Sequence, residues 1–260
     1  MKFSALIGLP VGQSVGQDIY NRIFKMHGIN SRYLAINLHR ENVDGFFEFA
    51  REETVGFNIT APYKEISAGL VDIKDRIVSA TGSTNLVKNM DGKLEGYNSD
   101  YSGFLFLMKN NMIKPDGKRV VIMGTGGAAR TVAYAVVENY SADIQIASRS
   151  PGTMSIEGIK SVGYSDIRDY DIIINCTPLG MGMDRRMAIP DEKILNGITG
   201  IDIIYNPLET SFLKAVKLKG GKTINGSDMF IGQGMETLQR LYGFSVTYDE
   251  FRNIFYEKIK

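Results

Sequence analysis

Gly124-Thr125-Gly126-Gly127-Ala128-Ala129-Arg130 follows directly on the apolar run Val120–Met123. A glycine loop between a strand and a helix offers backbone N–H groups to phosphate. In this G-x-G-x-x-A arrangement Gly124 permits a tight turn, Gly126 lets the backbone approach a pyrophosphate, and Ala129 allows close helix–sheet contact. Gly127 and Ala128 open the helix and add their own N–H groups. The strand-loop-helix context gives the motif its weight. The next apolar strand, Ile144–Ala147, ends at Ser148-Arg149-Ser150. A binder of NAD carries an acid at that tip for the ribose 2′-OH, and none stands here. Arg149, with the hydroxyls of Ser148 and Ser150 beside it, suits a 2′-phosphate instead, so the expected cofactor is NADP.

These groups need a scaffold, and the chain reads as strand then helix, repeated. Phe3–Leu9, Tyr33–Leu38 and Val55–Ile59 read as strands. Between them lie a helix capped by Asp18 and stopped by Gly28, and a second over Asp44–Glu53. Lys64–Val71 reads as helical, Asn85–Lys88 as extended, and Asp91-Gly92 as a turn between strands. Gly103–Ile113 is an apolar helix, and Ile113–Lys118 is the best linker candidate. A helix continues from the glycine loop through Asn139. Asp143–Ala147, Ile172–Asn175 and Ile201–Ile204 read as buried strands. Asp191–Leu195, Glu209–Lys219 and Met229–Tyr242 read as helices, followed by one with a stripe of Phe251, Ile254, Phe255 and Ile259. Such alternation implies parallel sheets wrapped by helices, an α/β fold with a doubly wound unit. The 260 residues allow one large domain or two small ones.

Composition excludes several function classes. A net charge of +1 argues against non-specific nucleic-acid binding. An apolar content of 43% with 23% charged residues is that of an ordinary globule. No apolar run approaches the ~18 residues of a membrane span. One cysteine, Cys176, and two histidines, His27 and His39, leave no disulfide framework and no metal cage, so no metal is expected. A reducing, cytoplasmic setting fits that usage.

Residues outside the glycine loop point further. Gly56-Phe57-Asn58-Ile59-Thr60-Ala61-Pro62-Tyr63-Lys64 resembles the G-F-N-V-T-x-P-x-K signature of shikimate dehydrogenases. Gly82-Ser83-Thr84-Asn85 and Gly96-Tyr97-Asn98-Ser99-Asp100 are similar to that family's G-A-V-N-T and G-x-N-T-D. Asp202-Ile203-Ile204-Tyr205-Asn206-Pro207 with Thr210 resembles its D-x-x-Y-x-P-x-x-T. Gly226-Ser227-Asp228-Met229-Phe230-Ile231-Gly232-Gln233 resembles its G-L-x-M-L-V-x-Q. With the loop that begins at Gly8, these run to Gln233 in the family's order.

The resemblance implies NADP-dependent interconversion of 3-dehydroshikimate and shikimate. It implies a discontinuous substrate domain, residues 1–100 and 228–260, around a Rossmann-type NADP domain, residues 101–227, with the site in the cleft between them. Lys64 and Asp100 match the catalytic pair. An ammonium within reach of a ketone oxygen stabilises the charge that hydride addition builds there and donates the proton. Asp100 is expected to orient Lys64 and accept a hydrogen bond from a substrate hydroxyl. Ser14, Thr60, Asn85, Tyr205 and Gln233 match substrate contacts, and Asn58 reads as a brace for its loop. Thr177, Gly226 and Met229 match positions along the cofactor, where the bare residue type of Met229 suits core filling.

The first loop departs from the family pattern G-x-P-x-x-H-S-x-S-P. Ser14 keeps the first carboxylate-binding serine, whereas Gly16 replaces the second. The lost hydrogen bond to a charged group corresponds to about 1.5–3 kcal/mol, unless Gln13, Gln17 or a water compensates. Leu86 and Ser99 each replace a family threonine. Gly16 keeps open a dehydrogenase for quinate or a related ring acid. A non-catalytic pathway sensor is the reading from another class, and the presence of both Lys64 and Asp100 weighs against it. The partners expected are small molecules, with neither nucleic acid nor membrane, on a monomer or homodimer.

Overall fold

The computed structural model describes all residues except 1, 13, 153–154, 157–158, 168, 191–192, 195 and 260. The chain forms two compact units, Met1–Ser99 with Ile231–Lys260, and Asp100–Phe230.

The first unit begins β1 (Phe3–Gly8), α1 (Gly16–Met26), β2 (Tyr33–Asn37), α2 (Val43–Glu53) and β3 (Thr54–Ile59). It continues through α3 (Lys64–Ser67), β4 (Ile73–Lys74), α4 (Arg76–Thr81), β5 (Leu86–Met90) and β6 (Lys93–Tyr97). Its sheet has the order β2-β1-β3-β5-β6-β4. The expectation of a parallel sheet holds only for β1 with β2 and β3 and for the short β4–β6 pair; β5 runs antiparallel to both of its neighbours. Asp91 (φ 52) and Gly92 (φ 92) join β5 to β6, both on the left-handed side that a two-residue hairpin loop needs. In the core, Phe57 meets Phe46 and Phe47 edge-on, each at 5.1 Å between ring centres.

Helix ends differ from the sequence reading for local reasons. Asp18 does not cap α1, which starts at Gly16 behind Val15. It lies in the first turn, where a negative charge suits the helix dipole, and pairs with Lys258. The helix expected over Lys64–Val71 ends at Ser67, because Ala68, Gly69 and Leu70 each turn back three residues, to Glu65, Ile66 and Ser67. Asp75 caps α4 by accepting from the Val78 N–H at 2.7 Å, and Gly82 ends it in the left-handed region.

α5 (Ser99–Asn110) enters the second unit. Ile113–Lys118 lies inside that unit, where Met112 (φ 54) and Gly117 (φ 67) turn the chain. Then come β7 (Arg119–Met123), α6 (Gly127–Asn139), β8 (Asp143–Ser148), β9 (Ser155–Ile156), β10 (Ile159–Gly163) and β11 (Ile172–Asn175). β12 (Thr199–Asp202), α7 (Ser211–Leu218) and β13 (Lys222–Ile224) complete its sheet, with the order β13-β12-β11-β7-β8-β10-β9. All pairs are parallel except β9–β10. Val120, Ile122, Ile172 and Ile174 feed one apolar cluster; Val121, Met123 and Ile173 feed the other. That alternation buries both faces, as in doubly wound sheets. The helix expected over Asp191–Leu195 falls partly on residues outside those described.

α8 (Ser227–Tyr242) and α9 (Tyr248–Lys258) end the chain. From Ile231 on they belong to the first unit. α8 crosses so near β3 that a Cβ on Gly56 would stand 2.5 Å from Leu241 Cδ2, and one on Gly234 would stand 2.4 Å from Phe251 Cζ in α9.

Candidate functional site

In the first unit four segments reach one edge of the sheet. Register sets this: Ile7 pairs with Ile59, Asn58 with Leu86, and Leu86 with Tyr97. The ends of β1, β3 and β6 and the start of β5 therefore share that edge. It carries the Ser14 loop, Thr60 and Lys64, Asn85, and Asn98-Ser99.

The loops are fastened to one another. Leu9 N–H donates to the Ala61 carbonyl at 3.1 Å, and Val11 N–H to Asn37 Oδ1 at 2.8 Å. A Cβ on Gly8 would lie 2.3 Å from Thr60 Cγ2, so the first loop and the Thr60 loop touch only because residue 8 has no side chain. Thr84 N–H donates to the Lys64 carbonyl at 2.8 Å, which ties the half-buried Lys64 to the segment leading to Asn85.

Asn58 braces this edge. Its Oδ1 accepts from Tyr33 Oη at 2.8 Å, and its Nδ2 donates to the Asn85 carbonyl at 3.3 Å and to Thr237 Oγ1 at 3.1 Å. Asn85 Oδ1 accepts from Ser99 N–H at 2.6 Å and Ser99 Oγ at 3.1 Å. Its Nδ2 has no partner among the described residues and is left as a donor for a ligand. Asp100, the second residue of α5, is buried.

Ser14 Oγ accepts the Gly16 N–H at 3.2 Å, which leaves its own proton for an outside acceptor. Gln17 Oε1 accepts the Ala35 N–H at 2.7 Å, which fixes the amide and leaves Nε2 as its donor for a carboxylate. Gln13 lies outside the described residues. Gln233 sits on α8, where its carbonyl accepts from Thr237 Oγ1 at 2.9 Å.

In the second unit, β8 and β11 flank β7. β8 follows β7 in sequence, and the chain then returns to β11 on the other side. The carboxyl ends of β7 and β11 thus form the switch point where open parallel sheets bind ligands. Gly124 (φ 114) makes the turn there, and a Cβ on it would lie 3.4 Å from the Cys176 backbone. Gly126 caps α6 without a side chain, at an ordinary φ of −78. A Cβ on Gly126 would meet nothing within 4 Å. Among the described residues no atom therefore requires glycine at 126, whereas a pyrophosphate resting on the N–H groups of Gly127 and Ala128 would. Ala129 is fully buried under the helix. The residues present fit a dinucleotide.

At the tip of β8, Ser148 turns inward. Its Oγ donates to the Ser150 carbonyl at 2.8 Å and accepts the Ser150 N–H at 3.0 Å. That turn leaves Arg149 exposed. Beside it, burial pushes the Tyr164 phenol up and the Arg149 charge opposes that shift.

Beyond β11 and β12 a polar network was not legible as such. Asp202 is fully buried and accepts from Thr210 Oγ1 at 2.6 Å, Asn175 Nδ2 at 3.1 Å and Ile204 N–H at 3.1 Å. Asn175 Oδ1 accepts from Thr177 N–H at 3.1 Å and Thr177 Oγ1 at 2.7 Å. Burial pushes the Asp202 carboxyl up to about 6 against these donors. Its signal in the sequence is an acid set inside the apolar run Ile201–Ile204.

Tyr205 lies 4.6 Å from Phe230 between ring centres. Gly226 has no room for a side chain, since a Cβ would lie 2.0 Å from the Ile203 carbonyl oxygen. Met229 is 6% exposed and packs in the apolar cluster with Ile201 and Ile224. Among the described residues there is no cluster able to hold a metal, and no helix long and apolar enough to cross a membrane.

A parallel sheet with a phosphate cradle at its switch point, in a chain whose other unit gathers polar side chains at one sheet edge, defines the class of dinucleotide-binding α/β proteins. Residues 6–87 match the family model described as the shikimate dehydrogenase substrate binding domain. The shikimate dehydrogenase (NADP(+)) of Thermoplasma acidophilum is 39% identical over 92% of this chain and 89% of its own. A crystal structure of a shikimate dehydrogenase in complex with NADP+ has a TM-score of 0.90 at 32% identity, covering 100% of this chain and 96% of that one. The Thermus thermophilus shikimate 5-dehydrogenase in complex with NADP(H) and shikimate has a TM-score of 0.89 at 25% identity, covering 99% and 100%. The chain belongs to the shikimate dehydrogenase family.

Proposed function

We propose that the protein interconverts 3-dehydroshikimate and shikimate with NADP, in the route to aromatic amino acids. The observation that supports this reading is that the segments carrying Ser14, Thr60, Lys64 and Asn85 end on one sheet edge, where backbone bonds join Leu9 to Ala61 and Thr84 to Lys64. A ring acid with several hydroxyls needs that many separate polar anchors.

NADP, when bound, supplies or accepts the hydride. The chain's residues do the rest. Lys64 holds its ammonium at the ketone oxygen, stabilises the negative charge that develops there and delivers the proton. Asp100 accepts a hydrogen bond from a ring hydroxyl. Ser14 Oγ donates to the ring carboxylate; Thr60, Asn85 Nδ2, Tyr205 and Gln233 fix the hydroxyls. The N–H groups of Gly127 and Ala128 receive the pyrophosphate, with Gly124, Gly126 and Ala129 shaping the turn. Arg149 and Ser150 receive the 2′-phosphate, on the turn that Ser148 closes. Thr177 and Gly226 shape the loops nearby.

Steady-state assays with shikimate and quinate, each paired with NADP and NAD, test the reading. The highest kcat/KM is expected for shikimate with NADP. In Arg149→Ala the NADP KM should rise about 10- to 150-fold, as for a lost charged hydrogen bond, while the NAD KM stays put. A preference for quinate, or an unaltered NADP KM in the variant, overturns the corresponding assignment.

Gly16 gives a second measurement. A Cβ there would lie 3.3 Å from Ser14 Oγ and 3.7 Å from Tyr20 Cε2, so a serine fits with a small shift of Ser14. Gly16→Ser is expected to lower the KM for shikimate about 10-fold or more by restoring a hydroxyl for the carboxylate. A KM that is unchanged or higher removes the carboxylate from this loop.

A further inference from the structure

Gln233, Thr237 and Arg240 lie at positions i, i+4 and i+7 of α8 and so share one face of the helix. Thr237 anchors that face to β3 through Asn58. One turn on, Arg240 meets β6. Its guanidinium carbon stands 3.9 Å from the centre of the Tyr97 ring, and its Nε donates to Glu236 Oε1 at 2.5 Å. Glu236 thus holds the guanidinium plane from within the same helix. Burial, with Glu95 beside the hydroxyl, pushes Tyr97 up to about 12, so the ring below the cation stays neutral. Together with Lys88 and Gln239 these side chains line a surface groove.

Tyr97 is a meaningful place to be held. Its carbonyl accepts the Asn85 N–H at 3.1 Å. Two residues on, Ser99 donates through both N–H and Oγ to Asn85 Oδ1. The strand end under Arg240 is therefore the one that orients Asn85. We propose that Arg240 is a positioning residue: stacked on Tyr97 at the strand end and steadied by Glu236, it fixes the rotation of the α8 face and so acts on the substrate through Gln233. The inference rests on the reading of Gln233 as a ring-acid contact.

A half-exposed cation–π contact adds little to stability. Its loss should therefore show in substrate geometry before it shows in melting. The test compares Arg240→Ala, Arg240→Lys, Gln233→Ala and the double variant Arg240→Ala/Gln233→Ala in the full chain, by steady-state kinetics and thermal melting. Arg240→Ala should raise the shikimate KM about 10-fold through misplacement of a contact, with the NADP KM unchanged and Tm within about 2 °C. Lysine lacks the planar stacking group and the Nε donor, so Arg240→Lys should recover little. The double variant should match Gln233→Ala alone.

Multiplicative KM effects in the double variant overturn the inference. So does a fall in Tm accompanied by equal rises in both KM values, which marks a merely structural role. Wild-type protein that does not turn over shikimate with NADP overturns the functional reading, and this inference with it. Wild-type turnover with multiplicative effects overturns the role of Arg240 alone.

Discussion

Lys64→Ala is expected to lower kcat for 3-dehydroshikimate reduction, the direction in which Lys64 gives its proton to the ketone oxygen, by about 10²- to 10⁴-fold, the usual contribution of a positioned acid or base. Lys64 opens α3, and its backbone carbonyl already holds the Thr84 N–H. That bond survives the substitution, so Tm should move by no more than about 2 °C. The NADP KM should be unaffected, because the phosphate cradle is built from β7, α6 and the tip of β8. Lys64→Arg separates charge from proton transfer. A guanidinium keeps the positive charge but does not give up its proton near neutral pH. The variant should bind the ring acid and still turn over slowly. Lys64→Ala with wild-type kcat would place the proton donor elsewhere, and equal losses in Lys64→Ala and Lys64→Arg would show that charge alone does not suffice.

The second unit was legible because its strands are buried on both faces. Val120–Met123 and Ile172–Ile174 are continuous apolar runs, and the structure places them side by side with Ile174 opposite Ile122. The glycine loop was legible for a different reason. A phosphate cradle is made of backbone, and backbone access is written in the sequence as missing side chains. Gly126 shows this most clearly, since nothing among the described residues demands glycine there.

The first unit was less open to reading. β6 places only Leu94 and Gly96 on buried positions over Lys93–Tyr97, and β4 is two exposed residues long, so neither holds enough apolar residues to mark a strand. Hydrogen-bonding choices were also hidden. The sequence shows Ser148, Gln17 and Asn58 as polar residues near a site. It does not show that Ser148 closes its own turn, that Gln17 reaches Ala35, or that Asn58 holds Tyr33 and Thr237. Those partners are fixed by tertiary placement. Arg240 is the extreme case, because its partner Tyr97 comes from a strand far earlier in the chain and no local pattern links them.

Asp202→Ala is expected to destabilise the second unit by about 3–5 kcal/mol, because it strands three buried donors at once. The donors are Thr210 Oγ1, Asn175 Nδ2 and the Ile204 N–H. At this chain length that corresponds to a Tm lower by roughly 10 °C. Asp202→Asn keeps the shape and one acceptor, and it isolates the charge. The carboxyl titrates near 4 when unfolded and is pushed up to about 6 in the folded chain, chiefly by burial. Between those values the folded state holds more protons than the unfolded state. Stability therefore falls as pH rises through that window, by about 2–3 kcal/mol in all, and the protonated form's advantage is complete only below ~4. Urea unfolding at pH 4 and pH 7 should thus show wild-type losing more stability than Asp202→Asn on going to the higher pH, by about that amount. The fully ionised carboxylate remains tolerable at pH 7 because three donors converge on it, which is why alanine is expected to be far worse than asparagine. Parallel pH dependences in wild-type and Asp202→Asn would mean that the carboxyl titrates alike in the folded and unfolded chain.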